Sequence, residues 1–235
     1  TDCKNGSFDG KITVDDGGAC TLNEGTFHVE VTNNGAFVTN DSTLTGKDIA
    51  VTNNGTFEMN GGSITGNTAT GMGGGVYSAG GDITMTGGSI ENNNASQGGG
   101  MYESGGSSVF FTMSGGSITK NTATDKGGGV YVSEGGNFKI SGSVQITGNT
   151  KESAVNNVEL AAGKTITIQS GLAEDASIGV TTEKTPGTGD YSKVASGAEG
   201  YFLTGADANR FFSDVNKTTY TIKCADNKLI LTNTG

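Results

Sequence analysis

One block recurs through the middle of this chain, and it limits the fold more than any other feature. It reads MNGGSITGN at 59–67, MTGGSIENN at 85–93, MSGGSITKN at 113–121 and ISGSVQITGN at 140–149. Between the copies stand GGGVY (73–77), GGGMY (98–102) and GGGVY (127–131). Ile64, Ile90, Ile118 and Ile146 mark equivalent positions, at intervals of 26, 28 and 28 residues. Asn67, Asn93, Asn121 and Asn149 repeat at the same intervals. Self-similarity at such a period means stacked units, none of which buries its apolar residues alone.

Within a unit the apolar residues are few and lie in short alternating runs between Gly and Asn. That is the pattern of strands and turns, not of an amphipathic helix. A unit of this length with short strands suits one coil of a parallel β-helix, in which each coil pairs its backbone with the next. The spacing therefore predicts an all-β fold, a right-handed single-stranded parallel β-helix (solenoid) of about eight coils. The Asn column is expected to sit in left-handed turn positions and to form an amide ladder. The Gly triplets are expected where φ is positive or where a Cβ has no room.

A shorter repeat precedes the long one. VTNNG occurs at 31–35 and 51–55, and GAF (35–37) returns as GTF (55–57), both 20 residues on. Short coils are thus expected over 1–58 and long coils over 59–150. The added length falls around 68–75, 95–100 and 122–129, where insertions in a solenoid form loops on one side, often the binding side. Final coils are expected over 151–198, from NNVEL (156–160), KTITIQ (164–169) and SIGVTT (177–182), with 182–192 as a loop. From 199 the composition turns aromatic, and YTIKC (220–224) with KLILT (228–232) reads as a hairpin about Asp226–Asn227. A solenoid end needs cover, so 199–235 is expected to form a small C-terminal β cap.

Composition narrows the function classes. The chain carries 42 Gly and one Pro, and Gly recurs at repeat positions, which argues for turns rather than disorder. Its net charge is −10 with no cluster of Lys or Arg, so no nucleic-acid partner is expected. No apolar run is long enough to span a bilayer, so no membrane insertion is expected, and without a signal peptide the chain reads as a mature or trimmed piece. A soluble, acidic chain of Thr, Asn, Ser and Gly suits an extracellular protein.

Cys3 and Cys20 lie 17 residues apart, close to one short coil. Equivalent positions on adjacent coils are near enough for a disulfide. A Cys3–Cys20 staple is expected, with two small buried thiols as the other reading. Cys224 is left over, either a buried thiol of the cap or the partner of an N-terminal cysteine. One His and no CxxC motif leave no ligand set for a metal.

At GGGVY and SITGN the chain resembles bacterial surface adhesins with a pectate-lyase-like β-helix. Gly73–Val76 and Ile64–Asn67, with their copies, are similar to the repeats of polymorphic outer-membrane proteins, with Gly in place of Ala and Ile in place of Phe. The stretch NNVEL…GKTITI…ASIGVTT (156–182) resembles large right-handed β-helix surface proteins of gut-dwelling Gram-positive anaerobes. The resemblance covers most of 31–182. It implies a β-helix displayed on or secreted from a gut bacterium. β-Helices host adhesins, lyases and hydrolases alike.

The residues weigh against catalysis. The sole His is His28 and the sole Arg is Arg210, far apart in sequence, and Asp82 and Asp125 form no pair at coil spacing. No calcium loop motif occurs. No enzyme activity and no cofactor are expected. Tyr77, Tyr102 and Tyr131 each follow an aliphatic residue, so alternation puts them outside if the aliphatic residue is inside. They are candidates for an exposed ladder that binds ligand, against the plainer reading of a ladder that only supports stacking. The expected role is that of an adhesin-like module, binding host glycans or surface proteins or serving as a stalk. The alternative is a β-helix that binds or degrades polysaccharide.

Overall fold

The computed structural model describes residues 2–3, 6–46, 48–183, 186–188, 190–215 and 219–233; for 2, 3, 6 and 7 only the backbone is described. The chain winds as a parallel β-helix whose coils stack in register. Three sheets run its length; in the long coils each takes one short strand per coil, whereas in the first coils strands such as Ala19–Asn33 and Ala36–Thr45 run through more than one sheet.

Each sheet contributes an apolar column to the interior. In the first, Phe37, Phe57, Ile83, Phe111, Phe138 and Ile166 succeed one another from coil to coil. In the second the column is Phe27, Leu44, Ile64, Ile90, Ile118, Ile146 and Ile178. The third carries Val31, Val51, Val76, Met101, Val130 and Val158. The repeat fixes these partners because like side chains stack on like, and each is at most 2% exposed. All belong to a single core. Stacking is closest where rings meet: Phe111 and Phe138 lie 4.7 Å apart and 6° from parallel.

The two coil lengths build different cross-sections. A short coil runs through strand Ala36–Thr45, which carries Phe37 of the first column and Leu44 of the second, and passes directly to strand Val51–Asn53 of the third sheet. The long coils insert another strand at this corner: Asn94–Gln97, Thr122–Lys126 and Thr150–Lys151. These pair in parallel as a fourth sheet. It begins at the bridges Thr68↔Asn94 and Met72↔Gln97 and ends in a hairpin with Ala154–Val155. The extra residues were expected as loops. Part of the second and third insertions is strand, Asn94–Gln97 and Thr122–Lys126, because each finds the same insertion one coil away to pair with, whereas 68–75 joins only through the two bridges.

The Gly triplets divide their labour. Gly98 takes φ +63°, open to Gly at little cost, whereas a Cβ on Gly99 would run into the carbonyl oxygens of Thr122 and Gly128. A Cβ on Gly100 would meet Ile118 and the side chain of Asn121. The column Asn67, Asn93, Asn121 and Asn149 was expected in the left-handed conformation. That conformation belongs instead to the preceding residues, Gly66, Asn92, Lys120 and Gly148, with φ between 55° and 73°.

The C-terminal end is closed as expected. Strands Tyr220–Ala225 and Lys228–Asn233 form a hairpin, and both turn residues, Asp226 and Asn227, have positive φ. Lys228–Asn233 pairs antiparallel with Tyr191–Gly197, which itself stacks in parallel on Ile166–Leu172. The expected loop at 182–192 thus gives way to strand at Tyr191. Phe211–Ser213 extends the second sheet by one more rung. Ahead of it sits a one-turn helix, Gly205–Ala208. Asp207 accepts hydrogen bonds there from the Thr204 N–H and Oγ1 and from the Tyr201 hydroxyl, each at 2.9 Å. Burial, with this carboxylate beside it, pushes the Tyr201 pKa up to about 12.

At the other end Cys3 pairs with Leu22, while Cys20 stands opposite Phe37 at the head of the first aromatic column. The side chain of Cys3 lies outside the described residues, and so does the Cys3–Cys20 staple. The Cys224 thiol is unbridged and faces the Leu203 carbonyl at 3.5 Å.

Candidate functional site

The three tyrosines form the expected column. Tyr77, Tyr102 and Tyr131 are register partners in the third sheet. Their ring centroids are 5.6 and 5.4 Å apart, in edge-on and tilted contacts. Val76, Met101 and Val130 point inward, so alternation does turn the tyrosines to the other face. Yet that face is not open. Tyr102 and Tyr131 are only 8% and 6% exposed, and Tyr77 alone is partly exposed. The expected exposed ladder is corrected to a covered one: the rings pack on one another and on Ala161, and Gly98 and Gly127 lie close against Tyr102 and Tyr131. Lys126, at the end of strand Thr122–Lys126, sits 5.2 Å from the Tyr131 ring centroid and donates to its hydroxyl at 3.2 Å. Hydrogen bonds to Tyr131 and Glu183 hold the Lys126 ammonium well above its usual range. Burial raises the Tyr102 hydroxyl.

The Asn column is a continuous amide chain. Asn67, Asn93, Asn121 and Asn149 are each 1% exposed or less. Each donates from Nδ2 to the next Oδ1, at 2.7, 3.0 and 3.0 Å. Asn149 donates to Asn157 at 3.1 Å, and Asn157 to the Asp214 carboxylate at 2.6 Å. Every amide thus points the same way, and the chain ends on an anion, the strongest acceptor available. Each Oδ1 from Asn93 to Asn157 also accepts the backbone N–H of the preceding ladder residue. The Oδ1 of Asn67, which heads the chain, has no partner.

At the last long coil the fourth sheet meets a cluster the sequence reading did not single out. Glu159 takes the place of Tyr131 one coil on, and Lys151 takes the place of Ala123. One oxygen of Glu159, Oε2, accepts from Lys151 Nζ at 3.3 Å, Asn156 Nδ2 at 2.9 Å and the Gly127 N–H at 3.0 Å. Asn156 Oδ1 accepts the Gly128 N–H at 2.9 Å. Glu159 and Asn156 are 4% and 3% exposed.

Two further places carry titratable groups. Glu103 stands in an inward column between Ser78 and Val132 and is fully buried. Desolvation pushes its pKa up to about 7, against the pull of the Gly105 N–H donated to Oε1 at 2.9 Å. Its Oε2 has no partner. In the first coils a hollow of about 420 Å³ is lined by Asp9, Lys11, His28 and Glu30. Lys11 and Glu30 pair across it at 2.6 Å, which raises the lysine. His28 lies exposed on strand Ala19–Asn33, with Glu30 on the same strand and Asp9 directly opposite it on the neighbouring rung. Phe8 packs over Gly10 beside this hollow and is 47% exposed.

Among the described residues no group of three or more His, Cys, Asp or Glu is arranged to hold a metal. Nor is any helix among them long and apolar enough to cross a membrane. No family of known proteins matches this chain, and neither a curated protein nor a solved structure matches it.

Proposed function

We propose that the chain is a rod-like module of a bacterial surface or secreted protein, adhesin-like, presenting its outer faces to host or microbial ligands. Its support is the use made of the repeated side chains. The tyrosines and asparagines that recur in every long coil stack on themselves inside the molecule, Tyr102 and Tyr131 at 8% and 6% exposure and Asn121 at 0%. What repeats therefore serves stiffness, and recognition falls to surfaces that do not repeat. A glycan or a surface protein is the expected partner class. Small-angle scattering and a glycan array with purified protein test this together. An extended rod that binds glycans or cell surfaces supports it, and a flexible chain sinks it.

A second reading, a polysaccharide-binding or polysaccharide-degrading β-helix, is favoured by the N-terminal hollow. An acid, a base and a histidine line it, with the exposed Phe8 ring beside it. Binding that vanishes in His28→Ala and Phe8→Ala, with the fold intact, would favour this reading over the first.

A further inference from the structure

We propose that Lys151 and Asn156 join through an amide cross-link that the protein forms itself, with Glu159 as proton carrier, sealing the hairpin in which the fourth sheet ends. The repeat points to this place. In the coil before it, the three equivalent positions are Ala123, Gly128 and Tyr131. All three change together in one coil, to a nucleophile, a carboxamide and an acid.

The hairpin brings the first two onto one face. Lys151 pairs with Ala154, and the Asn156 N–H donates to the Asn149 carbonyl at 2.9 Å. Lys151 and Asn156 are thereby diagonal cross-strand neighbours, within reach of a long side chain. Glu159 Oε2 then holds Lys151 Nζ at 3.3 Å and Asn156 Nδ2 at 2.9 Å, so one carboxylate oxygen touches both the attacking and the departing nitrogen. The Gly128 N–H, 2.9 Å from Asn156 Oδ1, lies where negative charge develops when Cγ is attacked. Burial of Asn156 and Glu159, with Tyr131 on the adjoining rung, keeps bulk water from competing.

The chemistry balances without a co-reactant. Glu159 takes a proton from the Lys151 ammonium, and the free amine forms a bond to Asn156 Cγ. The Gly128 N–H steadies the oxyanion. The Cγ–Nδ2 bond breaks as a second amine proton passes through Glu159 to the departing nitrogen. The ammonium and the carboxamide give a secondary amide and an ammonium ion, and Glu159 returns to its carboxylate.

Intact-mass spectrometry of the purified chain tests this, beside Lys151→Arg, Glu159→Gln and Asn156→Asp. Wild type is expected to be lighter than its sequence mass by one ammonia, and its digest to contain a branched peptide joining Lys151 to Asn156. Lys151→Arg, which keeps the charge beside Glu159, and Glu159→Gln should show full mass. Asn156→Asp should lose one water instead. A wild-type chain of full sequence mass overturns the proposal. So does an ammonia loss that persists in Lys151→Arg, because that loss belongs to cyclisation of an asparagine.

Discussion

The short coils and the long coils are built on the same three columns, yet they spend their polar residues differently. In the short coils an asparagine pair, Asn33 and Asn53, is buried in the third sheet, joined at 2.7 Å. A second pair, Asn34 and Asn54, lies exposed beside it and is joined at 2.9 Å. In the long coils the amide ladder moves to the corner before the fourth sheet, runs through five asparagines and ends at Asp214. Inserting a few residues per coil thus does more than lengthen a turn. It adds a sheet and brings a covered tyrosine column and a buried amide ladder, whose one open end is the Asn67 Oδ1.

Breaking the ladder in its middle should have the largest effect. Asn121→Ala removes the acceptor of the Asn93 N–H and Nδ2 and the donor to the Ile90 carbonyl and Asn149, all buried. Stranding these groups should cost about 5 kcal/mol, measured by denaturant unfolding. Tyr102→Ala should cost about 4 kcal/mol, because a covered ring leaves a cavity, whereas Tyr102→Phe should be close to wild type. The same column continues through Tyr77 into the short coils at Thr52. Thr52→Ala should change stability by less than about 1 kcal/mol, and a loss as large as that of Tyr102→Ala would erase the distinction.

Glu103→Gln probes an inward position of a long coil by pH. The folded-state pKa of Glu103 is raised to about 7 from 4.5. Its protonated form therefore stabilises the fold fully below the unfolded pKa. That contribution is lost as pH rises through the folded pKa. Wild type should lose on the order of 3 kcal/mol between about pH 4.5 and 7 relative to Glu103→Gln, read from unfolding midpoints across that range. Parallel pH profiles for the two proteins would contradict the burial of this acid. The smallest effect belongs to the exposed pair: Asn54→Ala should shift stability by about 0.5 kcal/mol or less.

The inward columns were legible in the sequence. Ile64, Ile90 and Ile118 keep their place in each block, and strand alternation assigns their face. Alternation also put Tyr102 opposite Met101, correctly. It could not tell what lies over the tyrosines, because their cover comes from one another and from Ala161, a full coil further along the chain. The asparagine ladder was readable from its spacing, its left-handed partners were not, since Gly66, Asn92, Lys120 and Gly148 share no side-chain type. Glu103 and the group Lys151, Asn156 and Glu159 left a fainter signal. Each departs from its column: Glu103 stands where Val132 follows, and Lys151 where Ala123 precedes. Setting the blocks side by side, position by position, would have exposed them.

The central claim is that the tyrosines of the long coils form a covered column rather than an exposed ladder. Tyrosine nitration of the folded protein, mapped by peptide mass spectrometry, tests it most directly. Tyr191, 62% exposed, should be modified readily, while Tyr102 and Tyr131, 8% and 6% exposed, should stay protected until the protein unfolds. Nitration of Tyr102 and Tyr131 as fast as Tyr191 in the folded state would contradict it.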